Sequence, residues 1–336
     1  MTRIRLDCTP LFRAENVPLS RSIPEKPSLL QRIGAVMVIV IVATIVRAQD
    51  SNPAIEQSRL YPRTIPPTAG DTSGTLSGVQ TEGTVSDDES FGAQRILKTQ
   101  EKAAELFINV TSSVYHTNNV ALTRSDTQSE AFYVGDVGFS WMPRVNPQLQ
   151  LQVGGALGLF RYETSALDFE SLGAGTGVIW TPPQLWNLSF ATRYDFIELL
   201  DRHGDEILQD HQFSLAIQKF LALGRSHSLS FGTIGSLAVS DPIAEQRDQA
   251  GFAVAYHLQL TRQLGADLGY RHSWYFYNQG GRTDLNQVLS LGVHYYFNPW
   301  ISVNGYLSGA LNDSNNAVFE YDVFSGGGGV GFDLRF

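Results

Sequence analysis

His272 and Ser273 stand side by side in Arg271-His272-Ser273, an imidazole next to a hydroxyl. A nucleophilic hydrolase needs such a pair, with the base in hydrogen-bond reach of the hydroxyl. The flanking residues read as an extended strand, and adjacent strand residues point to opposite faces. The two groups are therefore expected to face apart, His272 outward to lipid and Ser273 inward. Asp201, His203, Asp205, Asp210 and His211 supply residue types that activate water, but so does any solvated polar loop. Asp313, Glu320 and Asp322 offer oxygens for a surface Ca2+, though carboxylates of this kind are common in loops. The seven histidines show no tight metal-ligand spacing. Gly326 to Gly329 has no following helix or lysine to make a phosphate cradle. No catalytic residue, cofactor or metal is expected, and the chain reads as a non-enzyme.

The elements behind these residues are strands. Charged residues make up only 17% of the 336, and 31 residues are glycine. Aromatic residues reach 11%. Mean hydropathy is −0.11, which excludes a polytopic helical membrane protein. It does not exclude a membrane barrel, whose lipid-facing and lumen-facing residues alternate and average out. Net charge is −9 and no Lys/Arg run tracks a phosphate backbone, so nucleic acid is not an expected partner. The sole cysteine is Cys8.

Residues 33–46 form an apolar run preceded by Arg32 and closed by Val46-Arg47-Ala48. The run is short for a bilayer span and fits a signal peptide over 1–48, cut after Ala48. Residues 49–89 are rich in Pro, Ser, Thr and Gly and read as a disordered periplasmic linker. Residues 90–104 read as a short helix or a lead-in to the first strand, and a helix there would partly plug a pore.

From residue 105 to 336 apolar residues alternate with polar or small ones, the period that sorts side chains onto two sheet faces. Phe324, Gly326, Gly328, Val330, Phe332, Leu334 and Phe336 share one face of the final strand. Asp333 and Arg335 lie on the other. About twelve strands fit the pattern. Short connections such as Gly224-Arg225-Ser226 and Asn298-Pro299-Trp300 alternate with longer polar ones such as 117–128 and 201–208. Short turns at one end and long loops at the other predict a transmembrane antiparallel up-and-down β-barrel with its short turns in the periplasm. Trp141, Trp180, Trp186, Tyr295, Phe297 and Trp300 gather at the short-turn end as an interfacial girdle.

The terminal Val330-Gly331-Phe332-Asp333-Leu334-Arg335-Phe336 resembles the C-terminal strand of bacterial outer-membrane proteins. That resemblance implies the outer membrane of a Gram-negative bacterium. It also implies that Phe332, Leu334 and Phe336 are read by the barrel-assembly machinery. The stretch 295–306, followed by Asn312-Asp313-Ser314-Asn315, is similar to β-barrel porin families, some of which accompany exopolysaccharide systems.

The expected lumen lining is Arg193, Asp195, His257, Asp267, Arg271, His294, Asn304, Asp333 and Arg335. Charges of both signs can line an aqueous path, or they can pair into a closed plug. Twelve strands lie between filled eight-stranded barrels and open 16–18-stranded channels. Inward glycines, among them Gly173, Gly175, Gly177, Gly327, Gly329 and Gly331, are expected to leave room for a narrow pore. The reading is a porin-like channel for small solutes or for export of a polymer such as a polysaccharide. The alternative is a closed barrel whose outer loops bind partners, and an outer-membrane hydrolase comes after both.

Overall fold

In the computed structural model, which describes residues 52–60 and 105–336 apart from Asn187 and Arg225, the period-two texture becomes one closed antiparallel sheet. Its long strands are β1 (Leu106–Thr117), β2 (Glu130–Trp141), β4 (Leu149–Tyr162), β5 (Phe169–Trp180), β6 (Ser189–Asp201) and β7 (Glu206–Ala222). The ring continues through β8 (His227–Asp241), β9 (Arg247–Gln259), β10 (Leu264–Tyr277), β11 (Thr283–Asn298), β12 (Ile301–Ser314) and β13 (Tyr321–Arg335). A three-residue strand, β3 (Arg144–Asn146), sits in the turn after β2 and pairs only with β4. β2 pairs directly with β4, and β1 pairs with β13 from Phe107↔Arg335 to Thr117↔Ser325, so twelve strands close the ring. Every backbone group of the wall can thus find a partner inside the sheet, which lipid would not supply.

Register fixes the two faces. Val114, Leu157, Phe213 and Leu237 are 58%, 59%, 59% and 65% exposed on the outer face. Ser214, Ser230, Ser236, Ser273 and Ser290 are buried on the inner face. Apolar surface in water costs about 25 cal/mol per Å², so an outer face of this kind belongs in hydrocarbon. Strands of 12 to 17 residues exceed the ~9–11 needed to cross a bilayer, so the hairpins continue beyond it. That extension shortens the outer connections. Apart from 118–129 they are residues 163–168, 202–205, 242–246, 278–282 and 315–320, tighter than the polar loops expected from sequence.

One α-helix, α1 (Pro53–Leu60), belongs to the described residues, and there it replaces the disordered linker expected over 49–89. Asn52 caps it by accepting from Ala54 N–H at 3.0 Å, and Pro53 at the first helical position needs no donor. Ala54, Ile55, Glu56, Gln57, Ser58 and Leu60 are all buried. The signal peptide with its cleavage site, the rest of the linker and the 90–104 segment lie outside the described residues.

Candidate functional site

α1 lies across the outer mouth of the lumen. Gln57 Nε2 donates to the Val120 carbonyl at 2.8 Å, in the connection after β1. Arg59 donates to the Glu245 carboxylate at 3.3 Å and to its carbonyl at 3.2 Å, in the connection before β9. β1 and β9 stand nearly opposite in the ring, so the helix bridges it. Beneath it, Ala54, Ile55 and Leu60 join a cluster with Phe132, Phe160, Tyr162, Phe169, Leu199 and Leu208. Phe160 and Phe169 stack at 4.2 Å and Phe132 and Tyr162 at 4.8 Å between ring centroids. On its β2–β7 side the outer part of the lumen is therefore aromatic and apolar, not the polar path that the alternation suggested.

One carboxylate of α1 enters a cationic box. Glu56 accepts from Tyr277 O–H at 3.2 Å and from Arg59 at 3.0 Å. Arg247 lies 3.7 Å and Arg282 3.9 Å from its oxygens. The wall holds both arginines itself. Arg247 stacks over Tyr275 at 3.8 Å, and Arg282 over Phe319 at 3.5 Å and Tyr277 at 4.0 Å. Arg282 Nε also donates to both oxygens of Asp284, at 3.0 and 2.9 Å. Gly280 and Gly281, at φ 69° and 61°, make the turn that brings Arg282 back over Tyr277, a conformation other residues resist. Burial by itself would raise the Glu56 pKa, but Arg59, Arg247 and Arg282, with the Tyr277 hydroxyl, outweigh it and bring it down to about 2. Glu245, buried beside Arg59, is raised instead, because desolvation dominates there.

The lining residues expected from sequence fall into separate groups below this box. Arg193 Nε donates to Asp195 Oδ1 at 2.7 Å, a buried pair on β6. Asp267 on β10 meets His257 of β9 at 2.7 Å and His294 of β11 at 3.2 Å. Arg271 faces inward between Ala253 and Val288. Asn304 donates to Ser302 at 3.2 Å. Asp333 is half-buried, and Arg335 is exposed at the inner rim rather than enclosed. The inward glycines do not simply leave room: a Cβ on Gly175 would strike Arg193 and Asp195, and one on Gly327 would strike Tyr115. Side chains of neighbouring strands lie flat over these positions and take the space.

The other chemistry-bearing residues stay dispersed. Ser273 is fully buried on the inner face, whereas His272 packs on the outer face against Phe252 and Trp274, at 5.0 and 4.4 Å between ring centroids. Asp201 caps its own turn by accepting from His203 and Asp205 N–H at 2.7 and 2.9 Å. Asp210 pairs with Ser240 at 2.7 Å inside, while His211 pairs with Tyr194 at 2.7 Å outside. Glu320 is engaged by Arg124. Sequence reasoning missed Glu56, Arg59, Glu245, Arg247, Tyr277, Arg282 and Asp284. The one local signal was Asn52-Pro53, a helix start just after the expected cleavage site.

Trp141, Trp180, Trp186, Phe297 and Trp300 are all exposed at the end of the ring where both β1 begins and β13 ends. A closed sheet, an apolar exterior and this aromatic rim together fit a single setting. The chain is an outer-membrane β-barrel. One known structure supports the fold. The barrel is similar to the COG4313 outer membrane channel from Pseudomonas putida F1, at 10% identity and a TM-score of 0.52, over 69% of this chain and 96% of that one. It is more distantly similar to an anion-selective porin from Comamonas acidovorans, at 8% identity and a TM-score of 0.39, over 69% and 99% of the two chains. LpxR from Salmonella typhimurium matches at 10% identity and a TM-score of 0.39, over 67% and 99%. No family model and no curated protein matches the chain. Likeness at this level speaks to the barrel fold alone.

Proposed function

We propose that this barrel is a channel for small solutes whose outer mouth is shut by its own N-terminal helix. The observation that carries the reading is the seat of α1. It spans the lumen between the β1 and β9 sides, and polar and ionic contacts hold it there. A segment held in this way can leave without disturbing the strand pairing of the wall. The inner part of the lumen carries paired charges and hydroxyls, which suits passage of water and polar solutes. The short outer connections give loop-borne partner binding little surface. The separation of His272 from Ser273 and of Asp210 from His211 favours the non-enzymatic reading.

The test is planar-bilayer conductance of residues 49–336 beside the same chain lacking 49–60. The intact barrel should show small or rare current steps and the shortened one large, stable steps. A shortened barrel that is folded, shown by heat-modifiable electrophoretic mobility, and still silent would overturn the channel reading.

A further inference from the structure

Three inward side chains on neighbouring strands, His257, Asp267 and His294, offer one ligand atom each within 4.8 Å of one another. Asp267 is the direct cross-strand partner of His257, and His294 pairs across β10–β11 with Gly265, two residues along the same face. Both imidazoles present Nδ1 to the one carboxylate, at 2.7 Å to Oδ1 and 3.2 Å to Oδ2. Their rings are parallel within 8° and their centroids 5.7 Å apart.

We propose that this trio is a binding site for a divalent transition-metal ion of the zinc class, inside the inner end of the barrel. Two imidazole nitrogens and a carboxylate oxygen are a donor set suited to Zn2+ and its neighbours rather than to Ca2+ or Mg2+. Ligation at about 2.1 Å in a tetrahedron sets donor atoms roughly 3.4 Å apart. The two imidazoles reach different oxygens of Asp267, at 2.7 and 3.2 Å, so a site on one oxygen needs the carboxylate to turn and His257 to draw back by well under 1 Å. With neutral imidazoles the trio carries one negative charge, and as each Nδ1 takes the dication its ring proton sits on Nε2, which in His257 faces Gln259 Oε1. Three protein ligands leave a fourth position for water or a passing solute.

Three further features support a built site. Gly265 carries no side chain where a Cβ would collide with the His294 imidazole, so bare backbone gives that ring its place. On the far side of His257, Nε2 lies 3.4 Å from Gln259 Oε1, an acceptor placed to steady the ring as partners of metal-bound histidines do. The nine-tenths burial of His294 also sets it apart from a solvated surface histidine.

The experiment is a calorimetric titration of refolded residues 49–336 with Zn2+ alone, and a parallel titration with Co2+ followed by visible absorption. One ion per barrel should bind, with a Co2+ band that reports nitrogen ligation. His294→Ala and His257→Ala should each weaken binding at least tenfold. Asp267→Asn keeps the size of the side chain and serves if a histidine variant fails to fold, and it should weaken binding likewise. No saturable binding, or equal binding by folded variants, would overturn the site. Neither outcome depends on whether the barrel conducts.

Discussion

The carboxylate of Glu56 lies 3.7 Å from the guanidinium of Arg247, joining the N-terminal helix to the first residue of β9. The pair is enclosed, with side chains 10% and 14% exposed. Removing one member of a buried ion pair strands the other charge, which costs far more than the intact pair contributes. The contact therefore makes the seat of α1 depend on charge.

That dependence gives a pH prediction with a definite sign. Glu56 has its pKa lowered from 4.5 to about 2, so docking is favoured by ionisation. The contribution is full above pH 4.5 and is lost as pH falls towards 2. A shift of this size is worth roughly 3–4 kcal/mol, on the order of 300-fold in the docking equilibrium. Glu245, with a raised pKa, works in the opposite sense and cannot produce the step. Open-channel current should rise as pH falls below 4.5. Glu56→Gln should be open at pH 7 and show no step. A parent current that stays flat down to pH 2.5 would count against charge-held docking.

The strand pattern was legible because lipid outside and polar groups inside force a strict period of two. The start of β1, the β7–β8 turn and the terminal strand follow from it within a residue or two. α1 was not legible by that rule. Its eight residues have no apolar stripe, and Glu56, Gln57 and Ser58 are buried because the wall supplies their partners. The His257–Asp267–His294 trio was hidden for another reason. Each residue was read as inward, but their meeting depends on the register of three strands, which local spacing does not encode. The inward glycines were read on the correct face, yet only the path of Tyr115 and Arg193 across the wall shows that their space is filled.

The glycines give a prediction that separates filled from open positions. A Cβ on Gly327 would meet the Tyr115 ring and the Val114 backbone, and one on Gly329 would meet Ser113. A Cβ on Gly305 or Gly309 would meet nothing within 4 Å. Overpacking of this kind costs about 1–3 kcal/mol. Gly327→Ala and Gly329→Ala should lower the temperature at which the folded band is lost on heated gels. Gly305→Ala and Gly309→Ala should leave it within a degree or two. Equal behaviour of all four would mean that Tyr115 does not lie against the wall.

Placement in the bilayer makes a prediction of its own. Leu157 is 59% exposed near the middle of β4, and Val145 is 58% exposed in the turn strand β3. Their exposure is the same, but their depth is not. An arginine on the lipid face costs about 2–4 kcal/mol at the midplane and close to nothing near the interface. Leu157→Arg should therefore lower the free energy of urea unfolding in lipid vesicles by that amount, while Val145→Arg should leave it nearly unchanged. Equal costs at the two sites would mean that β4 does not cross the hydrocarbon core at Leu157.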